Sequence, residues 1–539
     1  MTVNDPRRRR IVTAGIASAT VLAVLAGIVA LTWVSRGPTT TAKEPAAAAT
    51  SLASPGAPLT EGLPEPARPA TDGPDETASL KGVRNVVLIV ADDLDTGLFN
   101  QVPRLAALRD KGMSFLNNTV TDSLCCPSRV SIFRGQLIHN HHVVSNVASS
   151  GGGWPTFQRL DEQQDCLPVW LHSAGVTTGM FGKYLNEYPD GGRGRRYVPP
   201  GWSSWVVPIS HGETYDGYNY ELNDNGAIQR YGHRPEDFLN DVITQKAVDF
   251  IERAPDGFFA ELATYSPHKP APVALRNRGT HMATAVPQTP DYNAIGTNEP
   301  TWLAGRPALT PRQLAGLDRM WRQRAQSAES VADSVAAVFS ALEASGHVND
   351  TLVIITADNG YHAGAHRLPK GKRTAYREDA VVPMVAIGPG ITPGSSVSAM
   401  TTTIDLAPTI AHMLGTKAPA WVDGRSLVPI LATGQAPEAW RTATLSESMG
   451  TSTPDDPDYQ PWAPPQYAAL RSTQWLFVTY QDGERELYDL VNDPYELDNV
   501  VGTTDPSVVA DLYTQLQLMR SCSGDTCRTY DALPMPAAS

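Results

Sequence analysis

Two uninterrupted apolar runs, each ending in a pair of oxygen-bearing side chains, constrain the fold of this chain more than any other feature. One run, Asn-Val-Val-Leu-Ile-Val, comes one alanine before Asp92 and Asp93, and the other, Thr-Leu-Val-Ile-Ile-Thr, comes one alanine before Asp358 and Asn359. Such runs are typical of strands buried on both faces of a parallel sheet. In open sheets of this kind, ligands bind beyond the carboxyl ends of the strands. We therefore expect both pairs to point at one site.

A long helical pattern separates the two runs. Thr310 is a typical N-cap, Pro311 suits the first turn of a helix, and the pattern continues to a stop signal at Gly346. Strands that alternate with helices predict an α/β fold in which a central, mostly parallel sheet lies between helices.

The C-terminal part of the chain changes character from about residue 445. Segments 467–472 and 474–480 are rich in residues that favour strands, and 486–490 follows a turn at Asp482 and Gly483. These segments are typical of antiparallel strands joined by short turns. They predict a smaller C-terminal antiparallel-sheet subdomain.

The N-terminus combines a basic tip with an apolar segment. Four arginines end at Arg10, and residues 11–34 are uncharged and long enough to cross a bilayer as a helix. We predict a signal anchor that holds the folded part outside the cytoplasm, or an export signal whose cleavage releases the protein. The predicted domains are 1–35 for the basic tip and transmembrane segment, 36–80 for a Pro/Ala/Thr-rich linker, 81–440 for the main domain and 441–539 for the C-terminal subdomain.

Length and charge exclude some classes of protein. With 539 residues, 41% of them hydrophobic, the chain has room for more than one domain and a sizeable core. The formal net charge of −13 argues against a nucleic-acid partner, although a local basic pocket for an acidic substrate is compatible with it. Five cysteines are too few for a disulfide scaffold, but Cys522 and Cys527 are close enough in sequence for one short disulfide loop.

The segment 125–129, Cys-Cys-Pro-Ser-Arg, concentrates reactive side chains. Pro127 suits the first turn of a helix, which places Cys125 at a helix N-terminus, where a thiol is expected to have a lowered pKa. Taken alone, the pair is as typical of a structural thiol or half of a disulfide as it is of a reactive thiol. A second interpretation groups five residues into a zinc or copper site, but it leaves both acidic strand ends unexplained. These five are Cys125, Cys126, His139, His141 and His142.

The same segment, followed by a helix and a glycine, resembles the signature of the sulfatases that depend on formylglycine. Further matching segments are 91–93 (ADD), 182–188 (GKYLNEY), 266–268 (SPH), 358–362 (DNGYH) and 487–490 (LYDL). The cysteine segment, 139–143 (HNHHV) and 182–188 together resemble the N-acetylglucosamine-6-sulfatase branch. The resemblance implies an alkaline-phosphatase-like α/β sandwich, with 81–440 as the sulfatase catalytic domain.

The resemblance also implies a metal site. Its ligands would be Asp92, Asp93, Asp358 and Asn359, completed by the modified residue at position 125. All of these ligands are oxygen atoms, so the expected ion is hard, with Ca²⁺ as the first choice and Mg²⁺ as the second.

A sulfate monoester is anionic, so its hydrolysis needs positive charge around the peripheral oxygens and a strong nucleophile in line with the leaving oxygen. The resemblance implies that a formylglycine-generating enzyme converts Cys125 to Cα-formylglycine. One hydroxyl of the hydrated aldehyde then attacks sulfur, and the other, once deprotonated, expels sulfate. It further implies that Arg129 holds the diol and that Lys183, His268 and Lys372 grip the sulfate and assist the leaving group.

One position departs from the family pattern. Many sulfatases have a histidine two residues after the lysine of the Gly-Lys motif, whereas this chain has Leu185 there. The base that releases sulfate is therefore open. We rank His139 and His141 first as substitutes, because they closely follow the cysteine helix.

The branch resemblance implies a sulfuric ester hydrolase that removes the 6-O-sulfate of glucosamine or N-acetylglucosamine, free or at the end of a glycosaminoglycan chain. The alternative enzymes are an arylsulfatase and a phosphonate or phosphate ester hydrolase on the same scaffold. The alternative outside enzymes is a protein with an unconverted Cys125 that binds sulfated glycans without turnover.

Overall fold

The computed structural model describes residues 80–209, 213–456 and 458–537. They belong to one compact unit. The predicted membrane segment in 1–35 and nearly all of the predicted linker, 36–80, lie outside the described residues. Within the described part, no helix combines the length and the apolar character needed to span a membrane. The boundary at residue 440 stays a prediction.

Fourteen strands form two sheets within the described residues. They are β1 (Asn85–Ala91), β2 (Met113–Thr119), β3 (Thr177–Gly182), β4 (Ser204–Pro208), β5 (Glu221–Asp224), β6 (Ala227–Arg230), β7 (Phe258–Ala263), β8 (Thr351–Ala357), β9 (Met384–Ile387), β10 (Ser395–Thr402), β11 (Ala443–Ser448), β12 (Tyr467–Ser472), β13 (Trp475–Tyr480) and β14 (Arg485–Asp489). The first sheet has ten strands in the order β10-β2-β9-β8-β1-β7-β3-β4-β5-β6, and the second has four in the order β11-β12-β13-β14.

The centre of the large sheet is parallel. Strands β8, β1, β7, β3 and β4 are parallel neighbours, whereas β9, β5 and β6 pair in the antiparallel sense. All four strands of the small sheet are antiparallel. Both observations confirm the predicted fold class, a mostly parallel α/β sheet with a smaller antiparallel sheet in the C-terminal part.

Helices pack against both sheets within the described residues. They are α1 (Thr96–Gln101), α2 (Pro103–Ala106), α3 (Cys125–Arg134), α4 (Ile138–His141), α5 (Gly153–Arg159), α6 (Leu167–Ser173), α7 (Leu239–Ile251), α8 (Pro311–Ser345), α9 (Arg377–Ala380), α10 (Leu406–Met413), α11 (Val428–Thr433), α12 (Pro506–Arg520) and α13 (Asp525–Tyr530). Helix α8 has Thr310 as its N-cap, with a capping box to Gln313, and Gly346 as its left-handed C-cap. Both predicted ends of this helix are therefore confirmed.

The sequence of strand β1 is apolar throughout because both faces of the strand are buried. Val86 and Leu88 pack in a core with residues of α3 and α10, and Val87 and Ile89 pack in a second core with residues of α7 and α8. All seven residues of β1 are buried. Burying each such side chain contributes about 1.5–3 kcal/mol, so both faces of the strand hold the helices in place.

Strand register brings the predicted site residues to one edge of the sheet. Ala91 of β1 pairs with Ala357 of β8, so the acidic pairs that follow leave neighbouring strands at the same level. Gly182 of β3 pairs with Ala263 of β7, and Lys183 follows directly. Gly182 has a φ of +109°, and a Cβ there would lie 1.9 Å from the carbonyl oxygen of Ala263, so only glycine fits before this lysine.

The small sheet packs against helix α12. Leu470 of β12 and Phe477 of β13 share a core with Leu512 and Leu516 of α12. A disulfide joins Cys522 to Cys527 at the end of this helix. The two cysteines therefore close the short loop for which their spacing was suited.

Candidate active site

Cys125 is the first residue of helix α3. Leu124 is the N-cap, Pro127 lies in the first turn, and the helix ends at the left-handed Gly135. The helix start is as predicted, but the expectation of a lowered thiol pKa is wrong. Cys125 is fully buried, and burial raises the pKa of its thiol well above the usual value, because Lys183 and Lys372 offset the lost hydration only in part.

Oppositely charged groups surround the Cys125 sulfur. Sγ lies 3.4 Å from Asp92 Oδ1, 4.0 Å from Asp93 Oδ1 and 2.8 Å from Lys372 Nζ. Lys183 Nζ donates to Asp92 Oδ2 at 2.6 Å, and Lys372 Nζ donates to Asp93 Oδ1 at 2.6 Å. Lys183 and Lys372, which are far from Asp92 and Asp93 in sequence, thus meet them around one buried sulfur.

These ion pairs keep their charges despite burial. Burial raises the pKa of the Asp92 carboxyl, but Lys183 and His268 outweigh it and hold that pKa below its usual value. Burial likewise lowers the pKa of the Lys183 ammonium, but Asp92 and Cys125 raise it well above its usual value. The cluster therefore presents fixed charges at neutral pH.

Arg129 connects the cysteine helix to the residues that follow strands β8 and β3. Its Nε donates to Asp358 Oδ2 at 2.8 Å, and its Nη1 donates to the carbonyl oxygen of Lys183 at 2.9 Å. The backbone N–H of Asp93 donates to Asp358 Oδ1 at 3.1 Å, and Asn359 Nδ2 donates to Asp93 Oδ1 at 2.7 Å. Direct hydrogen bonds thus join three of the residues implied as metal ligands, Asp93, Asp358 and Asn359, and the fourth, Asp92, bonds to Lys183 instead.

The donor set of this cluster fits a hard divalent cation. Asp93 Oδ2 and Asn359 Oδ1 are buried, yet neither has a hydrogen-bond partner among the described residues. Asp92, Asp93, Cys125 and His268 offer ligand atoms within 4.8 Å of one another. Orphaned oxygens in a buried, largely acidic cluster are what an ion such as Ca²⁺ or Mg²⁺ would satisfy.

His268 is a further member of the cluster. Its Nδ1 lies 2.6 Å from the carbonyl oxygen of Lys269, which only accepts, so Nδ1 carries a proton. Its Nε2 lies 3.7 Å from Asp93 Oδ2 and 3.4 Å from Asp458 Oδ1. The ring of Tyr215 contacts the ring of His268, with centroids 4.5 Å apart.

A cavity of about 260 Å³ adjoins these residues. Among its lining residues are Asn146, Lys183, Glu187, Tyr215 and Asp455. Because Lys183 also contacts Asp92, the cavity adjoins the charged cluster around Cys125.

Family models identify the chain. A model described as Sulfatase matches residues 84–416, more than half of the chain. The chain belongs to the sulfatase family. A second model, described as the C-terminal part of N-sulphoglucosamine sulphohydrolase, matches residues 364–521 of this sulfatase.

Curated relatives cover most of this sulfatase. N-acetylglucosamine-6-sulfatase of Capra hircus is 34% identical over 490 residues, which cover 84% of this chain and 86% of the relative. The protein of the same name from Homo sapiens is 34% identical over 480 residues, 83% of this chain and 86% of the relative. An arylsulfatase of Volvox carteri is 30% identical over 501 residues, 82% of this chain and 75% of the relative.

Solved structures share the fold of this sulfatase. A protein in complex with its substrate D-glucosamine-2-N,6-O-disulfate aligns with a TM-score of 0.67 at 20% identity, covering 84% of this chain and 99% of that chain. Phosphonate monoester hydrolase of Silicibacter pomeroyi aligns with a TM-score of 0.61 at 24% identity, covering 81% and 94%. At these identities the likeness concerns the fold alone.

The structure does not bring His139 and His141 to the cluster of this sulfatase. His139 Nδ1 lies 2.6 Å from Glu447 Oε2 and its Nε2 lies 3.0 Å from the carbonyl oxygen of Cys522. His141 Nε2 bonds to Ser131 Oγ, and its Nδ1 accepts from the backbone of Val143. All four ring nitrogens are thus engaged elsewhere, and the geometry supports neither a base role nor the alternative zinc or copper site.

Asp458 belongs to the cluster, and the sequence did not single it out. It lies between β11 and β12, with Oδ2 3.0 Å from Lys372 Nζ and 3.8 Å from Cys125 Sγ. Asn146 Nδ2 donates to Asp458 Oδ2 at 3.1 Å, and Lys269 Nζ lies 3.0 Å from Oδ1. Three aspartates in six residues, 453–458, were the available signal. A solvated turn has the same composition, so only the contacts of Asp458 show that this segment belongs to the cluster.

Proposed function

We propose that this sulfatase hydrolyses the 6-O-sulfate ester of glucosamine or N-acetylglucosamine. The observation that carries the proposal is Cys125, buried at the start of a helix between two lysines and the acidic ends of two parallel strands. The choice of sugar is supported by relatives named N-acetylglucosamine-6-sulfatase, which are 34% identical over more than four-fifths of the chain.

The proposal includes conversion of Cys125 to formylglycine by a formylglycine-generating enzyme, and a divalent cation, Ca²⁺ in the first place. The cation would be held by Asp92, Asp93, Asp358 and Asn359 together with the residue at position 125. When bound, the cation would supply positive charge that favours a deprotonated hydroxyl at that position. The hydrated aldehyde supplies the nucleophilic hydroxyl and a second hydroxyl whose deprotonation releases sulfate.

The side chains of this chain bind and orient the ester. Lys183 and Lys372 flank position 125 and would hold the peripheral sulfate oxygens, where their charges stabilise the transition state more strongly than they would in water. Arg129 fixes Asp358 and the end of strand β3, and it would hold the diol. His268 keeps a proton on Nδ1 and directs Nε2 into the cluster, where it would act on the leaving oxygen.

We also propose that the folded part acts outside the cytoplasm, anchored by the N-terminal segment or released by its cleavage. The disulfide between Cys522 and Cys527 supports this location, because such bonds are typical of oxidising compartments.

The test compares esters at equal concentration with protein from the native host. We expect kcat/KM for glucosamine 6-sulfate and N-acetylglucosamine 6-sulfate to exceed that for an aryl sulfate, a phosphonate monoester and glucosamine 6-phosphate by at least about 100-fold. The 2-N,6-O-disulfate of glucosamine tests whether the group at position 2 matters. A preference for the aryl or phosphorus ester would overturn the choice of substrate, and a peptide mass across 123–129 with an unmodified thiol in active protein would overturn the mechanism.

Asp458 is expected to position two side chains that it contacts, Lys372 and His268. The Asp458→Asn substitution should lower kcat/KM roughly 10–100-fold, because Lys372 and His268 lose a charged partner while the candidate metal ligands stay in place. The measurement is kcat and KM separately, with the metal content of the same preparation. Asp531→Asn, which removes a charge from ion pairs with Arg425 and Arg441 away from the cavity, is the matched control. Unchanged kinetics, or loss of the metal, would contradict a positioning role.

A further inference from the structure

A second group of metal-ligating side chains lies apart from Cys125. Asp291 lies between β7 and α8, His366 lies between β8 and α9, and Glu378 is on α9. Asp291 and His366 are each only 1% exposed, and Glu378 is half-buried. One ligand atom from each lies within 4.8 Å of the others. None of the three belongs to the cluster around Cys125.

The protein leaves the polar atoms of this group unsatisfied. Both carboxylate oxygens of Asp291 and both ring nitrogens of His366 are buried and have no hydrogen-bond partner among the described residues. Thr289 lies close enough to lower the pKa of Asp291, but it makes no hydrogen bond of normal geometry with that carboxyl. Four orphaned atoms on two adjacent side chains are rare in a folded protein and call for a missing ligand.

The charges of the group point to a cation. Burial raises the pKa of Asp291, and burial with the neighbouring Asp291 and Glu496 raises that of Glu378 well above its usual value. Glu496 has its own partners, Arg471 and the backbone of Arg377. No salt bridge involves Asp291 or Glu378 within the described ranges. Burial outweighs the charge of Arg377, which lowers the pKa of Asp291, so one bound cation would stabilise both carboxyls.

The imidazole of His366 is neutral, which is the form of histidine that binds a metal ion. Burial lowers its pKa to about 3, so the ring is neutral and one nitrogen keeps a free lone pair. Its ring stacks on Tyr376, with centroids 4.0 Å apart, which fixes its orientation.

We propose that Asp291, His366 and Glu378 bind a divalent transition-metal ion, zinc in the first place. One imidazole nitrogen and two carboxylates suit Zn²⁺, whereas Ca²⁺ and Mg²⁺ prefer oxygen alone. Atoms about 2.0–2.2 Å from one zinc ion lie up to about 4 Å apart, so small side-chain rotations bring the three ligands onto it. A cavity of about 220 Å³, lined by Asp291 and Glu378, gives the ion an entry path and a place for water as fourth ligand.

The ion would act on structure rather than on the ester. It would tie the segment before α8 to the segment that ends in α9, and Lys372 lies between His366 and Glu378 in that segment. Zinc binding would therefore hold the lysine loop in place. This inference goes beyond the proposed function, and its failure would leave the substrate assignment untouched.

Two other groups of histidine and acidic or cysteine side chains serve as comparisons. Asp256, His347 and Asp350 are close together, but His347 bonds to Asp350 and Asn85, and Asp256 pairs with Arg84. His139 lies near Cys522 and Cys527, which are already joined in a disulfide. His347 is therefore a matched control, because it lies beside two carboxylates that already have hydrogen-bond or ion-pair partners.

The test titrates Zn²⁺ into metal-stripped full-length protein in excess Ca²⁺, which saturates an all-oxygen site. Calorimetry should give one zinc ion per chain, and zinc should raise the melting temperature. His366→Asn should weaken zinc binding at least about 100-fold, since even residues that only support a ligand cost 10–100-fold. Asparagine suits this position, because His366 has a φ of 52°. His347→Asn should leave the zinc affinity unchanged.

Glu378→Gln serves as a second variant, because Glu378 is the least buried of the three and its replacement disturbs packing least. It too should weaken zinc binding without changing Ca²⁺ binding. Co²⁺ in place of zinc should give visible absorption in the wild type that both variants lose. Absence of zinc binding by the wild type, or equal affinity in the wild type and both variants, would overturn the proposal.

Discussion

Replacing Cys125 with serine is expected to lower kcat for sulfate release by at least about 10⁴-fold, as loss of a nucleophile does in other hydrolases. Serine retains a hydroxyl at the same place among Asp92 and Lys372, but it lacks the sulfur that the modification of cysteine starts from. The fold should persist, since the new hydroxyl is smaller than the thiol and has polar neighbours at 2.8 and 3.4 Å from the present sulfur. The measurement is the initial rate of sulfate release at saturating substrate.

Cys126→Ser is the matched control for this experiment. Cys126 is also fully buried, and its backbone N–H donates to Asn146 Oδ1, but its thiol is not among the ligand atoms that gather at Cys125. The variant should keep both conversion of position 125 and most of the activity. Near-normal turnover by Cys125→Ser would disprove the formylglycine mechanism.

The Asp358→Asn substitution should release the metal ion and lower kcat/KM roughly 10³-fold, the scale of losing one preorganised charge at a reacting centre. Asp358 bonds to Arg129, to the backbone of Asp93 and to that of Asn359, so it couples the two strand ends. Asparagine keeps one acceptor oxygen, but it removes the charge and replaces the second acceptor with an amide group that only donates. Elemental analysis of the purified protein and the rate of sulfate release give the two readouts.

Asp405→Asn is the control that separates loss of metal from loss of stability. Asp405 forms a buried ion pair with Arg441, as Asp358 does with Arg129, but it lies next to the C-terminal part of the chain and bonds to Arg425. Both substitutions weaken a buried pair and should lower the melting temperature. Only Asp358→Asn should lower the metal content, and a full complement of metal in that variant would rule out the ligand assignment.

Local patterns predicted the elements that frame the site. The apolar runs are β1 and β8, Thr310 and Gly346 are the caps of α8, and Pro127 lies in the first turn of α3. Each depends on a few neighbouring residues, such as a cap that bonds three residues ahead or a strand whose two faces are both buried. This part of the fold was therefore predictable from short local patterns of residues.

Contacts between distant segments were not predictable in the same way. His139 and His141 follow the cysteine helix closely in sequence, yet their rings bond to Glu447, Cys522 and Ser131. Asp458 is 333 residues from Cys125 and still lies 3.8 Å from its sulfur. Proximity in sequence is a poor guide here, because the sheet order places strands from all parts of the chain beside one another.

The sequence by itself determined the α/β fold class, the cysteine segment and the residues at the carboxyl ends of the strands, because these depend on local propensity and on side-chain type. Only the tertiary structure decided the charge balance around Cys125, the place of Asp458 and the unsatisfied group of Asp291, His366 and Glu378. A helix N-terminus alone favours a thiolate, but complete burial opposes it, and burial is a property of the packed chain. The same physical reason leaves Asp291 and His366 without partners, since desolvation turns ordinary polar side chains into candidate ligands only after the surrounding segments have closed over them.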